Sequence, residues 1–421
     1  MDFIKKFFLA SQKISQQKLH LKLKTTLFTT SAAIIFFSTL IGIVYFLGFN
    51  VLRDKGIESQ EEMAQTLASA VDSTIERQAE LLKLNANSQL VIDTLKENNL
   101  KYRTKSEKET QRYLMDMDKR WIEAPDDHPV LKDYLENALS LKLKELKGQD
   151  EKLVNVMITD RFGGLVASTS RPSGFYSFNQ DWWLSSYAKG RGKIFITNPE
   201  YDEASNLWCL GFALPVEDET GGVIGIYKAQ VTLDAFFKPL VNFKIGKTGN
   251  AVLVDDKAYL LYHNNTLPFA NKFCEYSEFQ KTLRNVERWG ELDSAYLNQG
   301  KTLVAYSQVT PSRPQAYFYA SLSDNYGNNL LPVKGMNWYV FVERNLREIF
   351  APLNKLIFFM VLIGIALTTV LALSVFILSG QESPTMLQVI QDGQAQADKA
   401  EGANLNRIEK RAKRLPKEKE Q

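Results

Sequence analysis

Three neighbouring stretches decide how the chain is read: GFYSFNQDWW (174–183), GKIFITNPEYDEASNLWCLGFALPV (192–216) and GGVIGIYKAQVTLDAFF (221–237). An aromatic pair, an Asn-Pro-Glu-Tyr-Asp loop and a strand carrying Lys and Gln follow one another closely. Aromatic walls with a few convergent polar groups are the material of small-molecule pockets. The region sits between two charge-free apolar runs, so it is expected outside a membrane, as the sensing module of a membrane-anchored chain.

Outward from this stretch, the pattern is that of short strands and tight turns. Residues 153–159 (LVNVMIT) alternate as a strand, Asp160-Arg161-Phe162-Gly163-Gly164 makes a turn, and 165–168 return. Further strands are expected at 194–197, 207–216 and 223–233, with a helical crossover over 181–189. These form a membrane-distal module at 151–240. A second, membrane-proximal module at 241–345 is expected from strands at 251–254, 259–263, 302–308, 316–321 and 338–342. Its Gly246-Lys247-Thr248 invites a phosphate-loop reading. The pattern GxxxxGK[ST] needs a Gly where Val241 stands, so the turn is structural.

Residues 27–47 and 356–378 carry no charge and are long enough to cross about 30 Å of hydrocarbon. The first has no small-residue cleavage site, so it reads as an uncleaved anchor. Lys5, Lys6, Lys13, Lys18, Lys22 and Lys24 precede it in the segment 1–26, which places the N-terminus in the cytoplasm by the positive-inside rule. Two spans return the tail, 379–421, to the same side. Against this, the first 20 residues after the second span hold no Lys or Arg but include Glu382, Asp392 and Asp398. The expected location is the bacterial cytoplasmic (inner) membrane, with the large domain periplasmic or extracellular.

Residues 53–150 form a long helix and a helical connector. Ala64, Leu67, Val71, Ile75, Ala79, Leu82, Ala86 and Leu90 recur in steps of three and four, one stripe on one face of a helix running to about residue 95. The stripe packs on the domain's own sheets, contacts a second copy in a homodimer, or does each along different lengths. Residues 124–129 (APDDHP) break the chain, and 130–147 read as another helix.

Composition is ordinary for a globular protein at 45% apolar and 24% charged residues, and a net charge of +3 gives no reason to expect nucleic acid. With three His and no CxxC, a zinc site is not expected, nor any other cofactor. Cys209 and Cys274 either pair or sit as separate small hydrophobes, the simpler reading. No nucleophile elbow, metal spacing or His beside a Ser or Cys with a third group argues for an enzyme.

The order of these features resembles the double Cache (dCache) family of extracytoplasmic sensors. The matching residues are the hairpin 156–167, Asp181-Trp182-Trp183 with Ala188, Asn198-Pro199-Glu200-Tyr201-Asp202, Trp208 with Ala213 and Pro215-Val216, and Gly222-Val223-Ile224-Gly225 followed by Leu233-Asp234. The second module matches at Ile245-Gly246-Lys247-Thr248-Gly249 and at Gly335 with Trp338-Tyr339-Val340. The resemblance covers about residues 53–342. It implies an α+β fold: a long N-terminal helix and two PAS-like antiparallel sheet modules between two transmembrane helices. It also implies service in a receptor, sensor kinase or similar signalling protein.

Family members that sense amino acids hold the carboxylate with an Arg two residues before a Trp-Tyr pair. They hold the amine with one Asp in a Pro-Tyr-x-Asp loop and one on the last distal strand. Here Trp182 and Trp183 fill the aromatic pair and Asp202 matches the loop Asp. Gln180 replaces the Arg, Glu200 with Tyr201 beside it takes the loop Tyr position, and Gln230 replaces the strand Asp. Lys228 shares a strand face with Gln230 and would replace the missing cation. The ligand-binding set is therefore Tyr176, Gln180, Trp182, Trp183, Tyr201, Asp202, Lys228 and Gln230, and the favoured ligand a small organic acid. Lys228 facing solvent is the plainer reading of that residue, Trp182 and Trp183 read equally as core or as pocket wall, and capping its own loop is the alternative for Asp202. The tail is too short for a kinase or phosphatase, so output is expected from a cytoplasmic or membrane effector protein, or the chain is the front part of a larger receptor. The alternative is a ligand-free scaffold that reuses the fold.

Overall fold

The computed structural model describes residues 2–264, 266–293, 301–309, 317–318, 337–378, 399 and 402. In the tail, 384–390, where the sequence would allow a helix to start, and 404–414, a basic stretch, lie outside these. Contacts divide the chain into two compact units, Leu52–Ile349 and Met1–Val51 with Phe350–Gln421.

In the second of these, helix α1 (Asp2–Ala86) and helix α9 (Ala351–Leu378) bring their apolar stretches together. Phe49 stacks on Phe350 with centroids 4.4 Å apart, and Phe37 packs against Gly364. Several hydroxyls in the apolar stretches donate to carbonyls one turn back, as Thr30 to Thr26 and Thr369 to Ile365, which satisfies those protons without water. By length and composition both helices are able to cross a membrane.

In the unit Leu52–Ile349, α1 continues to Ala86. The helix does not run on to residue 95. It stops at Asn87 and Ser88, where Ser88 turns extended, and α2 (Gln89–Leu100) starts on a new axis. Ala64, Val71, Ile75, Ala79 and Ala86 are fully buried, whereas Leu90 beyond the break is 40% exposed and Val91 and Leu95 turn inward instead. Then follow α3 (Glu107–Glu123), α4 (Pro129–Leu135) and α5 (Ala138–Gln149). Ser106 and Glu109 close a capping box on α3. The expected single helix over 130–147 is two, because Asn137 caps α5 by accepting from Ser140 N–H.

The first sheet holds β1 (Leu153–Asp160), β2 (Leu165–Ser168), β3 (Ile194–Ile196), β4 (Glu200–Asp202), β5 (Leu207–Glu217) and β6 (Val223–Thr232), with α6 (Asp181–Tyr187) between β2 and β3. The second holds β7 (Asn250–Val254), β8 (Leu260–Tyr262), β9 (Trp289–Asp293), β10 (Lys301–Gln308) and β12 (Tyr339–Asn345), with α7 (Tyr276–Arg284) after β8 and α8 (Leu346–Ile349) after β12. The strand expected at 316–321 is shorter, β11 (Tyr317–Phe318), and pairs parallel with β3 of the first sheet rather than joining the second. Strand order is β11-β3-β5-β6-β1-β2, with β4 on β5, and β8-β7-β12-β10-β9.

One apolar core joins both sheets to α1. It contains Val71, Ile75 and Leu82 of α1, Phe212, Tyr227 and Val231 of the first sheet, and Leu253, Val340 and Val342 of the second. The helical stripe is thus spent on the chain's own sheets. Gln60 adds a polar tie, donating to the Leu303 and Val342 carbonyls at 3.2 and 3.4 Å. The opposite face of each sheet has its own cover: α3, α4 and α6 over the first, α7 over the second.

Carboxylates fix the turns. Asp160 is fully buried. It accepts from Phe162 N–H (2.8 Å), Gly164 N–H (2.9 Å), Tyr102 Oη (2.8 Å) and Asn98 Nδ2 (3.0 Å), which ties the β1–β2 hairpin to the end of α2. Burial raises its pKa and these four donors oppose the rise. The Gly246-Lys247-Thr248 turn also cradles an anion, but one of the chain's own. Lys247 and Thr248 N–H donate to Glu348 at 2.9 and 2.8 Å, joined by the Thr248 hydroxyl and by Arg344 at 3.0 Å. Gly246 sits at φ +64°, and a Cβ there would collide with Glu348 Oε1. Burial raises the Glu348 carboxyl, but the Thr248 hydroxyl, the two N–H groups and Arg344 prevail and hold it at about 2.

Two outcomes follow from this packing. A Cβ on Gly225 would lie 2.5 Å from the Thr159 carbonyl oxygen and 2.7 Å from Leu95. Gly225→Ala is therefore expected to destabilise by about 1–3 kcal/mol in denaturant melts. The Glu348 clamp is complete above its ordinary pKa of 4.5 and is lost as pH falls towards 2. Glu348→Gln should lower the melting temperature at pH 7, and its deficit against the wild type should shrink steadily below pH 4.5.

Candidate functional site

The face of the first sheet that meets α6 is built by alternation along β6. Tyr227, Ala229 and Val231 enter the shared core, so Ile226, Lys228 and Gln230 stand on the other face. Register sets Lys228 between Met157 of β1 and Ala213 of β5, and Gln230 between Asn155 and Gly211. α6 lies over this face with Trp182 and Trp183 both buried. Lys228 Nζ is 4.7 Å from the centre of the Trp182 ring, a cation–π contact. Burial lowers the Lys228 pKa and the nearby charge of Glu200 opposes this. The ammonium has no hydrogen bond and no ion pair among the described residues.

Trp183 is a fixed wall. It is 1% exposed, donates Nε1 to Thr159 Oγ1 at 3.0 Å, and stacks on Tyr187 with centroids 4.7 Å apart. Tyr176 is half-buried and lies parallel to Phe178 at 5.9 Å. Burial raises its phenol, which a hydrogen bond to Gln111 opposes. Its backbone is placed by Asp118, whose Oδ1 accepts from Phe175 and Tyr176 N–H at 2.6 and 3.0 Å. Gln180 is exposed at the N-cap of α6 and makes no side-chain capping bond there.

The 198–202 segment, expected as a loop, ends in β4, whose Tyr201 pairs with Trp208 of β5. Tyr201 is 48% exposed and sits edge-on to Trp208. Asp202 Oδ2 accepts from both N–H and Oγ of Ser205, so this carboxylate caps its own hairpin turn. The structure thus gathers Trp182, Lys228 and Gln230 on one face and sets Trp183 and Tyr176 in the aromatic wall beside it. Gln180, Tyr201 and Asp202 stand apart, exposed or engaged locally.

Asn155 escaped the sequence reading, which places Glu200 only as the occupant of the loop Tyr position. Asn155 shares the Gln230 row, and its Oδ1 accepts from the Thr169 and Ser170 hydroxyls at 2.5 and 2.9 Å. Glu200 contributes the opposing charge near Lys228. An Asn inside the otherwise apolar run LVNVMIT was the available signal for the first. Both cysteines are free and buried, and burial pushes each thiol up to about 12. Away from this face, a cavity of about 210 Å³ is lined by Asn198, Pro199, Asp255, Phe269 and Trp338, where the two sheets' loops meet.

A family model described as Cache domain, dCache_1, matches residues 50–353. No curated protein matches the chain. Among solved structures, the ligand-binding domain of the Pseudomonas fluorescens chemoreceptor CtaA, in complex with L-isoleucine, is 15% identical with a TM-score of 0.43, covering 73% of this chain and 99% of that one. That of the Pseudomonas aeruginosa amino acid chemoreceptor PctB, with L-Arg, is 14% identical with a TM-score of 0.39, covering 71% and 98%. The sensory domain of the Campylobacter jejuni chemoreceptor Tlp3 (CcmL), with isoleucine bound, is 12% identical with a TM-score of 0.42, covering 72% and 97%. Such identities do not carry a ligand from one protein to another. The family match spans most of the chain and both sheets, and the chain belongs to the dCache_1 family of Cache domains.

Proposed function

We propose that the protein is a two-pass membrane sensor whose first sheet binds a small organic acid outside the membrane, with both termini in the cytoplasm. The observation that carries the ligand class is Lys228: a half-buried lysine whose ammonium lies against Trp182, feels the charge of Glu200 and forms no ion pair among the described residues. Desolvating a cation is costly, and a ligand carboxylate in direct contact would offset that cost more than the unpaired charge of Glu200 does. Gln230 and Asn155 beside it offer neutral hydrogen bonds. Asp202, the residue that would meet an amino acid's ammonium, is occupied by Ser205. On this reading the chain is a binding module and not an enzyme, and its output comes from a separate effector or from a signalling domain beyond this sequence.

Two ring contacts support a route onward. β6 leads into a short turn whose Phe237 packs on Tyr262 of β8 at 5.0 Å, and Trp208 of β5 packs on Phe269 at 4.4 Å. A ligand closing α6 onto β6 would shift both contacts. To bias the second sheet it must bind one arrangement better, and a fivefold to 150-fold preference corresponds to about 1–3 kcal/mol. The self-capped Asp202 and the exposed Gln180 favour the second reading, a scaffold without ligand.

The test is thermal melting of the purified chain with panels of organic acids, amino acids and amines. At a hundred times its dissociation constant a ligand adds about 2.7 kcal/mol, a shift of several degrees. Acids are expected to give that shift. Lys228→Met should abolish it without lowering the melting temperature of the unliganded protein, since it removes a half-buried charge. A shift with amino acids or amines alone would overturn the assignment of Lys228, and a flat panel would favour the scaffold.

A further inference from the structure

Glu343 lies on β12, the middle strand of the second sheet, and is 1% exposed. Neither of its carboxyl oxygens has a hydrogen-bond partner among the described residues. By alternation it shares a face with Tyr339 and Phe341, the face that packs beneath α7 with Val252, Val304, Leu292 and Phe279. Register sets it directly between Val304 of β10 and Asn250 of β7. Asn250 is turned to its own hairpin, where its Nδ2 donates to the Thr248 carbonyl at 3.3 Å.

The surrounding charges do not reach it. β7 carries no charged residue. Lys301 of β10 and Glu291 of β9 alternate onto the opposite face of the sheet. α7 bears Glu278, Lys281 and Arg284. The adjacent Arg344 is paired with Glu348 of α8, and Arg347 follows in the same helix. None of these forms an ion pair with Glu343, and burial alone pushes its carboxyl up to about 8. A carboxylate taken out of water with neither donor nor cation is strongly disfavoured against the neutral acid. The described packing is therefore that of the protonated side chain.

We propose that Glu343 makes the second sheet a proton-sensitive joint: the sheet keeps this packing while the carboxyl is protonated, and ionisation loosens β12 against β7, β10 and α7. The strand is well placed for such control. It is the last before α9, with Asn345 ending β12 and Ala351 beginning the helix. A rise in external pH would then alter the segment that any signal must follow along the chain. This control is independent of Lys228, which belongs to the other sheet.

The purified full chain in detergent is melted from pH 5 to 9 beside Glu343→Gln, which stays neutral throughout. The carboxyl is raised in the folded state from an ordinary 4.5 to about 8. Its stabilising contribution is thus whole below 4.5 and is lost as pH rises through 8. Relative to the Gln variant, the wild-type folding constant should fall about tenfold per pH unit across that window and level off above it. Curves that stay parallel would overturn the proposal. Should the Gln variant fail to fold, Glu343→Leu provides the same uncharged reference.

Loosening has its own readout in the two thiols. Cys274 is buried in the core cluster beside α7 and Cys209 in the first sheet. Both are raised to about 12, so their intrinsic response to pH cancels in a ratio. Maleimide labelling of Cys274 relative to Cys209 should rise severalfold between pH 7 and 9 in the wild type and stay constant in Glu343→Gln. A constant ratio in the wild type would overturn the joint even where the melting curves diverge.

Discussion

The burial of one helical stripe under two sheets is the constraint on which the rest depends. From Ala64 to Ala86, α1 offers its apolar face to both sheets at once, and four of the buried positions, Ala64, Ala68, Ala79 and Ala86, are alanine. Small side chains let β-sheets approach the helix closely, while Val71, Ile75 and Leu82 fill the space between. The two modules are consequently not beads on a string. Their inner faces share one core, and a change in either is felt at the same row of helical side chains.

The distribution of charge follows a simple logic around that core. Asp160, Asp118 and Glu348 are each surrounded by donors, and each ties a turn or loop to a helix. Such groups explain why loops this rich in polar residues hold one shape. Lys228 and Glu343 are the counter-examples. They are drawn into sheet faces of opposite modules, one beneath an indole and the other between a valine and an asparagine, without that surrounding. An interior tolerates such groups at a cost, so they are where binding or titration is to be sought.

Much of this was legible in the sequence. Alternation marked β1, β2, β5 and β6, the three-and-four spacing marked the buried stripe, and the motif order marked the family. Helix boundaries inside continuous apolar spacing were not. The end of α1 at Ser88 and the Asn137 cap between α4 and α5 interrupt runs whose apolar spacing reads as continuous. β9 and α7 were missed, and β11 was placed in the wrong sheet, because partners distant in sequence decide which sheet a short strand joins. At the site, strand parity put Lys228 beside Gln230, and the Asx-type capping open to Asp202 in its own loop is the arrangement that Ser205 completes.

The two cysteines have a consequence for biogenesis. Family domains of this kind work outside the cytoplasm, where thiols meet oxidants and disulfide exchange. Attack on an oxidised partner requires the thiolate, and in the folded chain both groups are sequestered and held near 12. In this packing burial shields both thiols from that machinery. On the proposed topology, the thiols are most exposed between emergence from the membrane and closure of the core. Speed of folding, rather than redox potential, would then govern how much of it matures without error.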